Sequence, residues 1–318
     1  MPLKGAGPLR STREYLPNGS KDLFSQEPFV VSRRVRPAGV RLVAMVLVFV
    51  VVTALAAGAR AVAGDNPVLS LLFGAVVAVL ALMTYAAVVR LLEQRPVSEL
   101  DPATAASGLR TGTLVGLGLF VATIAVIALF GGYGTEGGVA VGGVLTYLGM
   151  MAGVAVTEEL LFRGIVFRLL EELTGTRGAL AVSALLFGGL HLLNTGATVW
   201  GALAIAVEGG LLTGAAYVAT RSLWLPIGVH FGWNFAESGL FGTTVSGNED
   251  APAGLVHGVL SGPDALTGGG FGPEAGIAAI LVCAVPTVLF LRAAGRRGHL
   301  RPRPRRRSTG TPASPTAP

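Results

Sequence analysis

The segment TEELLFRG, Thr157 to Gly164, places two adjacent glutamates and an arginine inside an apolar run that extends from about Val139 to Leu170. On a soluble helix such groups would mark the wet face. Here the neighbours on every side are Val, Ala, Gly, Leu, Met and Phe. The rest of the chain has the same character. Of 318 residues, 52% are hydrophobic and 13% are charged, with a mean hydropathy of +0.65; a soluble domain carries about a quarter charged residues. The reading is an integral membrane protein, in which ionisable groups at membrane depth need a protein-lined or water-filled place to face.

A membrane helix takes about 20 mostly apolar residues. Eight stretches qualify: Arg41–Ala63, Pro67–Val89, Thr113–Phe130, Val139–Leu170, Gly178–Leu193, Thr198–Ala219, Leu223–Phe241 and Glu274–Ala293. The fold class is therefore all-α, a polytopic transmembrane bundle of about eight helices. Four regions follow: a basic N-terminal segment (1–40), N-terminal membrane helices (41–135), a membrane core (136–293), and a basic tail (294–318) expected to be disordered. The linker Gly242–Pro273, rich in Gly and Pro, is expected to be irregular.

Charge placement orients this bundle. Of 24 Lys and Arg, eight lie in Met1–Arg41 and eight in Arg292–Arg307. An even number of helices puts both basic ends in the cytoplasm, together with Arg90, Arg95, Arg110, Arg177 and Arg221 in the intervening turns. The opposite turns, GGYGTEGG (131–138), Asn194–Ala197 and Gly242–Pro273, hold no Lys or Arg, and only Arg60 falls near the outer face. The net charge of +6 then reads as topology and attraction to anionic lipid headgroups, not as a nucleic-acid site. The single cysteine, Cys283, lies in an apolar run and reads as a small buried hydrophobe.

The polar groups within the spans converge. If the fourth and fifth helices form a hairpin about a turn near Gly175, Glu158 and His191 are equidistant from it, each roughly 25 Å up at ~1.5 Å per residue. In HFGWN, His230 and Asn234 are four apart and share a helix face. Glu159 and Arg163 have the same spacing, which suits an ion pair. Successive residues lie about 100° apart around a helix, so only one of Glu158 and Glu159 can face a common site; Glu158 is expected there, with Glu159 turned away toward Arg163.

Three segments, EELLFR (158–163), FGGLH (187–191) and HFGWN (230–234), together resemble the CPBP intramembrane proteases, the CAAX-protease and bacteriocin-processing family, whose pattern is EExxxR, FxxxH and HxxxN or HxxxD. The approach ATRSLWLPIGVHFGWN resembles the family too, and the likeness spans about Ala140 to Leu240. The resemblance implies hydrolysis of a peptide bond. Glu158 and His191 would activate a water, and His230 and Asn234 would line the other side of the scissile carbonyl and stabilise the oxyanion. Glu159 and Arg163 would be structural support, and Phe187 would pack the pocket. Glu158, His191 and His230 are also plausible zinc ligands. With no HExxH helix, a mechanism needing no cofactor is expected, a divalent metal being the alternative. The substrate would be a membrane-associated peptide or protein, processed as a CaaX terminus or in bacteriocin maturation or immunity. The Ala/Gly/Val/Arg-rich composition suggests a bacterial plasma membrane. A second class remains open: a transporter or immunity scaffold that uses the same cluster to bind an ion or ligand. His230 and Asn234 could equally be interhelical hydrogen-bond glue. Glu208, outside the motifs, is either a structural partner or a cavity-lining group. Glu237 is expected near the outer interface, and His257 and His299 in loop and tail.

Overall fold

The computed structural model describes residues 36–248 and 254–304. The basic segment before residue 36 and the tail beyond residue 304 lie outside the described residues. The chain is all-α apart from one small sheet. Helices α1 (Ala38–Ala63) and α2 (Pro67–Glu93) form an opening hairpin. Asn66 caps α2 through its side-chain oxygen, and Pro67 occupies the first helical position, where its missing N–H costs nothing. Helix α3 (Ala105–Leu129) follows, then strand β1 (Tyr133–Glu136) and α4 (Val141–Glu159), which continues as a π-helical segment Leu160–Phe167 into α5 (Arg168–Leu190). Helices α6 (Val199–Ile205) and α7 (Leu212–Thr220) are joined by π-helical Ala206–Leu211, and α8 (Trp224–Asn234) runs on as π-helical Phe235–Leu240. Strand β2 (His257–Leu260), the short α9 (Asp264–Thr267) and α10 (Ile277–Arg296) complete the described chain.

Among the described residues, six helical stretches are long and apolar enough to cross a membrane. The sequence predicts eight. One of the six, Val141–Leu193, is two helices: Gly175, at φ 74° and ψ 172°, turns the chain back on itself in a conformation that L side chains avoid. Residues 224–240 are the remaining helix and fall just below the usual spanning length.

Two helix crossings fix the bundle. Helix α2 meets α4 so closely that a Cβ on Gly74 would lie 1.9 Å from the carbonyl oxygen of Gly149. Helix α3 meets α8 in the same way, where a Cβ on Gly232 would lie 2.3 Å from the Thr113 carbonyl. Small residues that let backbones touch are how membrane helices gain packing without a hydrophobic driving force. The N-terminal helices thus share one core with the rest. Met45, Phe49 and Tyr85 pack with Leu160, Ile165 and Phe167. The described residues, 36–248 and 254–304, belong to a single compact unit.

The two ends of the bundle differ. At one end, Glu93 holds Arg168 at 2.7 Å, Arg95 at 2.7 Å and Arg41 at 3.3 Å, while Arg95 also pairs with Glu99 at 2.6 Å. Burial disfavours the Arg95 charge, but the hydrogen bonds from Glu99 and Glu93 outweigh it and hold this guanidinium firmly protonated. Nearby, Glu171 pairs with Arg221 at 2.6 Å. The tail, expected to be disordered from residue 294, instead remains helical to Arg296. It then docks: the Arg301 N–H donates to Thr176 Oγ1 at 2.8 Å, and the Thr176 N–H donates to the Arg301 carbonyl at 3.0 Å. His299 accompanies it, its Nδ1 3.0 Å from the Val218 carbonyl. At the other end, β1 and β2 pair antiparallel in the register Tyr133↔Leu260 to Glu136↔His257. The linker expected to be irregular therefore carries a strand. The reason it escapes a sequence reading is that its partner lies 124 positions away, counting from residue 133 to residue 257, so no local pattern announces it.

Candidate active site

The hairpin turn at Gly175 brings the α4 extension and α5 side by side, and α8 crosses them. Three motif segments meet there. Glu159 is fully buried, and its Oε1 accepts from Arg163 at 2.8 Å, the expected ion pair. The same oxygen lies 3.0 Å from Nδ1 of His230. Glu159 is therefore not turned away from the motif histidines; it stands behind one of them and fixes its ring. Arg163, 1% exposed, also donates to the carbonyls of Gly210 at 2.9 Å and Gly209 at 3.2 Å. Its guanidinium lies 4.5 Å from the centre of the Phe187 ring. One arginine thus ties the α4 extension to the π-helical segment between α6 and α7, and through the ring to α5.

Phe187 is the hub of the aromatic contacts. Its ring centre lies 5.1 Å from that of His191 and 6.0 Å from that of His230. Four residues on, His191 Nδ1 lies 2.8 Å from the Phe187 carbonyl oxygen. A carbonyl can only accept, so Nδ1 carries the proton and Nε2 of a neutral His191 holds a free lone pair. Across the site, Asn234 Nδ2 lies 3.3 Å from His230 Nε2. With His230 Nδ1 donating to Glu159, its Nε2 accepts from Asn234, and the second Asn234 N–H remains available.

Phe187, His191, His230 and Asn234 line one cavity, of about 390 Å³ including its open mouth, together with Glu208 and Glu274. Glu158 does not line it. Its half-buried carboxylate opens onto a second cavity, of about 570 Å³, walled by Thr53, Ala56, Phe73, Gly74 and Val154 of α1, α2 and α4. Among the described residues it has no hydrogen bond or ion pair, although its charge bears on both His230 and Arg163. The structure therefore brings together His191, His230, Asn234 and Phe187, and leaves Glu158 on the next cavity.

The donor set does not suit a metal as arranged. Among the described residues no three His, Cys, Asp or Glu groups converge on one point. Glu158 faces elsewhere, and both ring nitrogens of His230 are engaged by Glu159 and Asn234.

Compared with known families, residues 140–236 match the model described as type II CAAX prenyl endopeptidase Rce1-like. This segment of the chain resembles that family. It begins at the start of α4 and ends just past Asn234, so it contains every motif residue. At the level of the family it supports a CAAX-type intramembrane protease acting on a membrane-associated substrate. No curated protein and no solved structure matches the chain.

Some residues that line this cavity are absent from the sequence motifs. Glu274, outside the matched segment, reaches the cavity from the loop before α10. It accepts from Trp233 Nε1 at 3.1 Å and from the N–H and hydroxyl of Ser246 at 2.9 and 2.6 Å. Glu208 is 3% exposed and lines the same cavity. Glu237, expected near the outer interface, is fully buried, and its carbonyl accepts from the N–H of Thr243 in the following linker at 3.0 Å. It lies in π-helical Phe235–Leu240, where the wider turn shifts the faces that ideal helical spacing assigns. The available signal was a carboxylate inside an apolar segment, which holds for Glu208 as for Glu158. For Glu274, at the head of the eighth apolar stretch beside the Gly-rich linker, there was none.

Proposed function

We propose that this protein is a bacterial intramembrane endopeptidase of the CaaX type, cleaving a prenylated or otherwise membrane-associated peptide without a metal. The carrying observation is the His191–His230–Asn234 constellation on one cavity, assembled from α5 and α8 and braced by Glu159. His191, with Nδ1 occupied by its own helix, is the group poised to accept a proton from water at Nε2. Glu158 is its partner in holding that water. Because its carboxylate makes no hydrogen bond, it can swing toward His191 without losing one. As water adds, charge grows on the carbonyl oxygen, and the free N–H of Asn234 is positioned to receive it. Glu159 keeps His230 in the tautomer that leaves that N–H free, as a buried carboxylate orients a catalytic imidazole.

The test is a reporter bearing a farnesylated CaaX terminus, co-expressed with wild type, Glu158→Gln or His191→Ala. Wild type should release the terminal peptide. Each variant should lose at least two orders of magnitude in rate, the usual worth of a positioned general base. Retained cleavage in Glu158→Gln would instead leave His191 with the Glu159–His230 dyad as the working group. A wild type that binds the reporter without cutting it would favour a scaffold.

A further inference from the structure

Breaking an amide bond requires a proton for the departing nitrogen, because an amide anion is too basic to leave. The Glu158–His191 pair takes the proton of the attacking water, and the group that hands a proton to the nitrogen must stand where the amine departs. We propose that Glu208 is the acid that protonates the leaving amine, from the wall of the cavity it shares with His191, His230 and Asn234. This rests on the protease reading of that cavity.

Three carboxyl groups are buried around this end of α8: Glu208, Glu237 and Glu274. Their surroundings differ. Glu274 accepts three hydrogen bonds, from Trp233 and Ser246. Glu237 does not line the cavity; its carboxyl faces Glu274 and Trp233. Glu208 lines the cavity, yet among the described residues no N–H or O–H donates to it; its contact is with the Cys283 thiol, Sγ 4.0 Å from Oε2. A buried carboxylate needs several donors, whereas a carboxylic acid brings its own proton. The environment of Glu208 is that of an acid. Its place in π-helical Ala206–Leu211 supports a function, since such wide turns concentrate at working sites. The carbonyls that the same segment leaves for capture, Gly209 and Gly210, are held by Arg163, which fixes Glu208 relative to the motif residues.

Water adds to the scissile carbonyl carbon, forming a C–O bond and giving a proton to the Glu158–His191 pair. The C–N bond then breaks with its electrons on nitrogen, and nitrogen takes the Glu208 proton. Glu208 is left ionised and recovers its proton from His191 through water in the cavity.

The experiment uses the purified full chain in detergent with two probes, a quenched farnesylated CaaX peptide and its analogue in which the scissile amide is an ester. An alkoxide leaves with far less help from an acid than an amine. Glu208→Gln should therefore lower kcat on the amide on the order of 10²-fold and leave the ester little changed. Glu208→Asp, which keeps an acid one methylene back, should retain part of the amide rate. It also stands in should Glu208→Gln fail to elute as a folded protein. Equal loss on both probes would make Glu208 structural, and no loss on either would make it a bystander; both overturn the proposal. Glu158→Gln should lose both probes. A wild type that cleaves neither would overturn the protease reading, and this inference with it.

Discussion

Glu158 and Glu159 are neighbours in sequence with opposite surroundings. Glu158 is half-buried and unbonded, while Glu159 is fully enclosed between Arg163 and His230. The unbonded carboxylate suits chemistry and the fixed one suits support. Arg163 is the keystone of that support, since it satisfies Glu159 and two backbone carbonyls at once. Replacing it by Ala strands a buried charge, at about 3–5 kcal/mol. Arg163→Ala should therefore accumulate poorly and melt early in detergent, read by yield and by thermal unfolding of the purified fraction. An Arg163→Ala protein with wild-type stability and no activity would contradict this and give the guanidinium a direct part in the reaction.

At the scale of elements, the site depends on how closely α8 lies against α3. The contact runs through glycines, and Gly232 sits between His230 and Asn234 on the chain. A methyl group there would meet the Thr113 carbonyl at 2.3 Å, backbone that cannot rotate aside. Gly232→Ala should cost about 1–3 kcal/mol as an overpacking change and lower activity by moving His230 and Asn234. The control is Gly58→Ala, at a position with open space around it. It should leave melting temperature and activity unchanged or slightly improved, because Ala favours a helix. Equal effects from the two changes would argue against the α3–α8 contact as the element that sets the site.

Over the whole molecule, charge separates the two ends. Arg41, Arg95, Arg168 and Arg221 gather with their glutamates at one end, while the β1–β2 sheet closes the other. The positive-inside rule assigns the basic end to the cytoplasm. A topology reporter fused after Ser308 should therefore be cytoplasmic, and one inserted within residues 242–273 should be external. Both reporters on one side would mean that α10, the helix between them, does not cross, and would break the pairing of ends on which the orientation rests.

The sequence alone determined the membrane class, the helices and the motif residues, because long apolar runs and rare internal charges are properties of composition and order. It also located the turn at Gly175 and the Glu159–Arg163 pair, both local at four residues or fewer. The rest was decided between distant segments. Glu159 meets His230 across 71 positions, and Glu274 meets Trp233 across 41. The three π-helical segments shift side chains off the ideal helical spacing from which the faces of Glu158 and Glu237 were inferred. Which carboxylate braces a histidine and which opens on a cavity are questions of helix phase and crossing. Those are fixed when backbones close on one another at Gly74–Gly149 and Gly232–Thr113, and no single segment carries that information.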